Sequence, residues 1–246
     1  MPKAGRVHAD RIDARPDHVA VALPDPDRAA ARWRDVLGGG LVNRFDNEVF
    51  CGHQYRYPNQ AKIELLGPSP ADHSPDNFLR AFIARFGTRV HHMTLRVGSL
   101  HRAIGVLEGA GLDVVDVRDD TPHWREGFLR PSQVGGLIVQ IAETPRTDDE
   151  WAEVRGGRIE EAAPGAALLL GPRLRHPDLG KAKELWSLLG GEVGETTDGL
   201  LVIWPGAALT VLIEQGEPVG PVSLRCAGTP DLPHEDGVGP RIEGDA

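Results

Sequence analysis

The feature that most constrains this chain is that it repeats itself. HVAVAL (18–23) and HHMTLRV (91–97) are both alternating strands led by a histidine, and each is followed by a helical pattern and further strands. His18 and His92 lie 74 residues apart, and Glu64 and Gln140, each in the last strand of its copy, lie 76 apart. Two copies of a β-α-β-β-β unit satisfy both intervals. A fixed internal period constrains the fold more firmly than local propensity does.

In the first copy, PDPD (24–27) leads into a helix near 27–38 with Ala30, Trp33, Val36 and Leu37 on one stripe. Asp25 or Asp27 can cap its start, and Gly38, Gly39 and Gly40 stop it. Strands are expected near 41–45, 49–57 and 61–66, then a connector with a short helix around Phe78 to Phe86. The second copy gives a helix at 99–111 and strands at 112–117, 126–131 and 136–143.

A third copy follows a polar linker (144–163). AALLLG (166–171) reads as its first strand, and DLGKAKELWSLLGGEV (178–193) mirrors DRAAARWRDVLGGGLV (27–42). Strands at 200–205 and 208–214 complete it, and Glu214 takes the place of Gln140. Its first strand carries no histidine, so this copy is degenerate. The expected class is α+β: paired βαβββ modules forming a curled mixed-sheet trough with flanking helices, plus the third module. The domain reading is an arm at 1–16, a two-module domain at 17–146 (modules 17–68 and 90–144), the third module at 164–226, and a disordered tail at 227–246. Gly, Pro and charge dominate that tail.

A net charge of −9 argues against nucleic acid or an anionic membrane as the partner. No apolar run is long enough to span a bilayer, and the N-terminus lacks the apolar core of a signal peptide. Cys51 and Cys226 have no metal-type spacing and read as free thiols of a reducing cytoplasm. The remaining partner class is a small molecule.

His18, Glu64, His92 and Gln140 each stand opposite an apolar row, such as Ile63 and Leu65 around Glu64. If the two copies curl together, two imidazoles, a carboxylate and an amide oxygen converge. That mixed set suits one divalent metal: Zn, Ni, Co, Mn or Fe. His91 is expected on the packed face, away from the site. His53, Gln54 and Tyr55 on a central strand, His123 and Trp124 in a connection, and Arg130 are candidate pocket residues.

DHVAVALPDPDRA, AKIELLGP, HHMTLRV and FLRPSQVGGLIVQIAE resemble the vicinal oxygen chelate superfamily, which includes glyoxalase I, bleomycin-resistance proteins, extradiol dioxygenases and methylmalonyl-CoA epimerase. They are most similar to the epimerase branch. The resemblance covers roughly 17–143, with an echo at 166–214, and implies metal ligation by His18, Glu64, His92 and Gln140. Gln140 departs from the family's usual glutamate. An amide oxygen ligates but accepts no proton at neutral pH, which leaves Glu64 as the candidate base and Glu48 as an alternative. The resemblance implies an isomerase or lyase whose metal chelates vicinal oxygens of a carbonyl or acyl-thioester compound and stabilises an enediolate. A non-catalytic binding or resistance protein of the same fold is the alternative, and extradiol dioxygenase chemistry is disfavoured by Gln140. The third module is expected to cover one end of the trough or to pair across a homodimer.

Overall fold

A computed structural model describes residues 11–245. The alternation seen in the sequence becomes β1 (Ala14–Ala22), β4 (Lys62–Pro68), β5 (Arg89–Val97) and β8 (Ile138–Glu143). Val19, Val21, Ile63, Leu65, Met93, Leu95, Val139 and Ile141 are all completely buried on one face. Each contributes roughly 1.5–3 kcal/mol by leaving water. β2 (Gly40–Asp46), β3 (Phe50–Arg56), β6 (Val114–Arg118) and β7 (Arg125–Leu129) extend the sheet outward, in the order β2-β3-β4-β1-β5-β8-β7-β6. β1 pairs parallel with β4, β5 pairs parallel with β8, and the two halves join through the antiparallel β1–β5 pair.

Asp25 caps α1 (Pro26–Ala30) by accepting from the Arg28 amide, and Pro26 needs no partner in the first turn. The helix continues as a π-helical segment, Ala31–Val36, so Leu37 bonds back to the Arg32 carbonyl. Gly38 ends it at φ +78°. α2 (Phe78–Phe86) begins at an Asn77 cap and α3 (Leu100–Gly109) at Ser99. The polar linker, expected to be irregular, folds its first part into α4 (Asp148–Val154) behind a Thr147/Glu150 capping box.

The third copy forms β9 (Leu168–His176), α5 (Leu179–Leu188), β10 (Glu192–Thr196), β11 (Gly199–Ile203) and β12 (Val211–Gln215). Its first strand does not stop at 171 but runs on through Arg173 and Arg175. Nor is that strand left unpaired. β13 (Gly220–Ala227) lies antiparallel to β9, as β5 does to β1, and β14 (Ile242–Asp245) lies parallel to β13. The second sheet is therefore six-stranded, β10-β11-β12-β9-β13-β14. The fold is α+β, with two mixed sheets and five α-helices among the described residues.

Two expectations about the chain's ends are corrected. Residues 1–10 of the supposed arm lie outside the described residues, but Ile12 is buried and residues 14–16 already belong to β1. The supposedly disordered tail ends in β14, with Val238 and Ile242 buried. Its backbone carbonyls receive α1: Arg32 donates to Pro233 and Pro240, and Trp33 Nε1 donates to Val238. Polar composition concealed this because the contacts are made by main-chain oxygens.

One apolar core, from Trp33 and Leu107 to Trp186 and Leu224, runs through both sheets and helices α1, α3 and α5. The sheets also meet backbone to backbone, where a Cβ on Gly136 (φ +82°) would sit 2.6 Å from the Gly220 Cα. Gly136→Ala is expected to cost about 1–3 kcal/mol, through backbone strain and overpacking together. An unchanged urea midpoint would show that this joint yields freely.

Candidate metal centre

Strand register builds the site. His18 on β1 lies opposite Lys62 on β4 and Thr94 on β5, while Ala20 lies opposite Glu64 and His92. Ala20, completely buried, is small enough to leave room between the two histidines and the glutamate. One ligand atom each from His18, Glu64 and His92 lies within 4.8 Å of the others. His18 Nε2 is 3.6 Å from Glu64 Oε2, and His92 Nε2 is 4.0 Å from Glu64 Oε1. The two imidazole rings meet edge to face, with centroids 5.7 Å apart.

The surroundings fix what each ligand atom offers. Asp17 Oδ2 lies 2.7 Å from His18 Nδ1. In a neutral imidazole that carboxylate holds the proton on Nδ1 and leaves the Nε2 lone pair facing Glu64. His92 Nδ1 pairs with His91 Nδ1 at 2.8 Å, which turns His92 Nε2 the same way. Burial pushes the His92 pKa well below the usual imidazole range, helped by the neighbouring His91 and His18. Burial also raises Glu64, although His18 and Lys62 oppose the rise. Burial acts against Asp17 ionising too, yet Lys62, His18 and Arg96 together hold its carboxyl far below the ordinary value.

Gln140 stands at the edge of this group. Its Oε1 lies 2.5 Å from Thr94 Oγ1, and that hydroxyl is also 3.0 Å from His18 Nε2. A single hydroxyl proton faces two acceptors there; the Glu64 carboxylate adjoins it, and His92 Nε2 adds a further lone pair when the proton shared with His91 sits on His92 Nδ1. The excess of lone pairs over protons, from two nitrogens and a carboxylate, fits a divalent cation of the borderline class. The Gln140 amide donates to Glu126 Oε2 at 2.7 Å, and Trp124 Nε1 donates to the same oxygen.

The centre lines a cavity of about 780 Å³ walled by both halves of the first sheet and by α4. Gln54, Trp124 and Arg130 line it, as the sequence suggested. His53 and Tyr55 do not. Both lie on the opposite, packed face, where His53 meets Asp27 at 3.1 Å and the Tyr55 hydroxyl at 3.2 Å. Period-two alternation allows only one face to Gln54 and its neighbours, so the three could not act together. His123 is exposed and outside the cavity lining, as is Glu48 in the β2–β3 turn.

His91 reverses its expected facing. The β1–β5 register shifts between Ala20 and Val21, opposite His92 and Val90, making His91 the extra residue of a bulge. It lines the cavity instead and packs on Phe82 with ring centroids 4.6 Å apart. Burial lowers its pKa to about 4.

Sequence reasoning missed Asp17, Lys62, Thr94, Arg96, Glu126 and Asp148. Asp17 and Lys62 could have been found, since each flanks a ligand by one or two residues on a strand. The Lys62 ammonium donates to Asp17 (3.1 Å) and to both Asp148 oxygens (2.8 and 2.9 Å). Arg96 bridges the same two carboxylates, at 2.7 Å to Asp17 and 3.2 Å to Asp148.

The second sheet holds no such centre. Arg173 lies opposite Leu212 two residues before Glu214, the place His18 has relative to Glu64. Its guanidinium bridges Glu214 and Glu243, and Arg175 joins Glu214. A fixed cation stands there between carboxylates.

Residues 17–128 match the family model of the glyoxalase/bleomycin resistance protein/dioxygenase superfamily. The mitochondrial methylmalonyl-CoA epimerase of Mus musculus is 29% identical over 135 residues, spanning 52% of this chain and 72% of the relative. The crystal structure of methylmalonyl-CoA epimerase from Mycobacterium tuberculosis aligns with 53% of this chain and 88% of that one, at 26% identity and TM-score 0.47. A hypothetical protein from Staphylococcus aureus shares the fold of nearly the whole chain, covering 94% of it and 99% of its own length, at 12% identity and TM-score 0.66. Residues 17–128 thus carry the pattern of the glyoxalase/bleomycin resistance protein/dioxygenase superfamily, and the chain shows distant homology to the methylmalonyl-CoA epimerases.

Proposed function

We propose that the first sheet curls into a trough that binds one divalent metal at His18, Glu64 and His92, with Gln140 as fourth ligand, and acts as an isomerase or lyase on a small carbonyl or acyl-thioester compound. The observation that carries this reading is a buried carboxylate held between two imidazole nitrogens at the floor of a large cavity. A bound cation would chelate two adjacent oxygens of the ligand and lower the cost of the negative charge that develops when a proton leaves the neighbouring carbon.

The chain's own residues have distinct tasks. Asp17 orients His18, and His91 orients His92. Glu126 holds the Gln140 amide, so the amide oxygen points towards Thr94 and the centre. Glu64 is the candidate proton acceptor, since burial raises its pKa towards the range in which a carboxylate accepts protons usefully. Glu126 is the cavity-wall carboxylate that bonds Gln140. It brings acid–base capacity beside a position where an amide has none.

The test is deuterium exchange. Cobalt-loaded protein in D2O, offered a panel of acyl thioesters and small carbonyl compounds, should label the carbon next to the carbonyl of at least one. Glu64→Gln should weaken cobalt binding and, at cobalt concentrations that restore full occupancy, still lose the labelling. Metal uptake with no exchange on any compound would favour the second reading, a ligand-binding cup of the same fold. The amide at Gln140 speaks for that second reading.

A further inference from the structure

The helix α4 belongs to the connection between the sheets and lies outside the stretch matched by the family model. Asp148, Trp151 and Arg155 follow one another at helical spacing on one face, and all three line the metal cavity. Asp148 is anchored by Lys62 and Arg96, as described above. Trp151 packs edge to face near Trp124 across the cavity, with centroids 6.5 Å apart. The Arg155 guanidinium carbon lies 5.1 Å from the Trp151 ring centre, a stacking contact that steadies a long side chain at the rim. The chain beyond α4 is tied down as well: the Glu160 amide donates to Leu41 and the Ala163 amide to Gly38. This wall is built in, and it is not a passing linker.

Cations around the cavity differ in their commitments. Lys62 and Arg96 are engaged by Asp17 and Asp148, and Arg118 faces Glu126 at 3.9 Å. Arg155 has no carboxylate within 4.0 Å among the described residues, and the charge it feels most is that of Glu64. Once Glu64 serves a metal, its charge is neutralised locally and the guanidinium is available for another anion.

We propose that α4 is the specificity wall of the site, latched by Asp148, and that Arg155 docks an anionic substituent carried beside the chelating oxygens of the ligand. This rests on the metal-chelating reading above. The chain would thus prefer a compound with two adjacent oxygens plus a further carboxylate over the same chelating unit without it. A guanidinium suits a carboxylate through paired N–H donors, and Arg155 would add them without touching the metal.

The test compares pyruvate with 2-oxoglutarate by isothermal titration calorimetry on zinc-loaded protein, with tryptophan emission as a second readout through Trp124 and Trp151. The parent should bind 2-oxoglutarate roughly tenfold tighter than pyruvate. Arg155→Ala should erase that preference and leave pyruvate unchanged, Arg155→Lys should restore part of it, and Arg102→Ala on α3, outside the cavity lining, should leave it intact. A preference that survives Arg155→Ala, or one abolished by Arg102→Ala, overturns the proposal. So does a parent that takes up zinc but binds neither compound, or binds both equally. Failure to take up zinc at all strikes the metal reading itself, which separates the two.

Discussion

His92→Ala should abolish metal binding. The parent, purified without chelator or nickel resin, should carry about one equivalent of a divalent metal by mass spectrometry, or take it up from zinc, nickel, cobalt or manganese. Loss of an orienting neighbour typically costs 10–100-fold in affinity, so loss of a ligand should cost more than about 100-fold. Metal bound only by the folded state stabilises it by mass action, so the parent should melt higher with added zinc and the variant should not. His92 is almost fully buried, and the alanine leaves a small polar void, so the metal-free melting points of the two proteins must be compared as well. Gln140→Glu, in contrast, should bind metal at least as well, since it returns a charged oxygen to that position. A parent that takes up no ion under any of these conditions removes the catalytic reading.

Lys62→Met should be the most destabilising change of charge in the chain. Lys62 is 4% exposed and lies between Asp17 and Asp148, and its alkyl stem is matched in size by methionine. Removing one partner of a buried ion pair costs about 3–5 kcal/mol, because the other charge stays buried with less compensation. Arg96 remains on both carboxylates, which places the expected loss nearer 3 kcal/mol. Asp17 keeps its proton off largely because of Lys62, so the loss should fall at acid pH, where Asp17 is protonated in the variant. Asp17 has a depressed folded-state pKa. Its stabilising contribution is therefore present above the unfolded value and fades as pH drops through the folded one. Urea midpoints at neutral and acid pH would measure both effects, and a variant as stable as the parent at neutral pH would refute them.

The clustering of His18, Glu64 and His92 was legible because strand alternation and a repeat act together: one fixes the facing, the other the place along the strand. α2 was legible to the residue, since its apolar face and Asn77 cap are local signals. The facing of His91 was not, because a bulge depends on how two strands register and leaves no mark on either alone. His53 and Tyr55 were misplaced by grouping three consecutive strand residues, which by necessity point alternately to opposite sides. α4 was hidden because it buries only Ala152 and holds its place through ionic contacts to distant strands. The repeat length marked a third module, yet β13 and β14 broke the period and went unread.

The hold of the C-terminal stretch on α1 has a consequence for biosynthesis. Arg32 and Trp33 are made about 200 residues before Pro233, Val238 and Pro240, whose carbonyls they bond. His18, Glu64, His92 and the Gln140 strand can come together well before that stretch is made, but the helix behind them gains these partners only afterwards. A nascent or prematurely terminated chain would thus carry an assembled site on an unfinished support and expose the Trp33 face to quality control. The making of this stretch is in this sense a late folding step for the helix behind the first sheet.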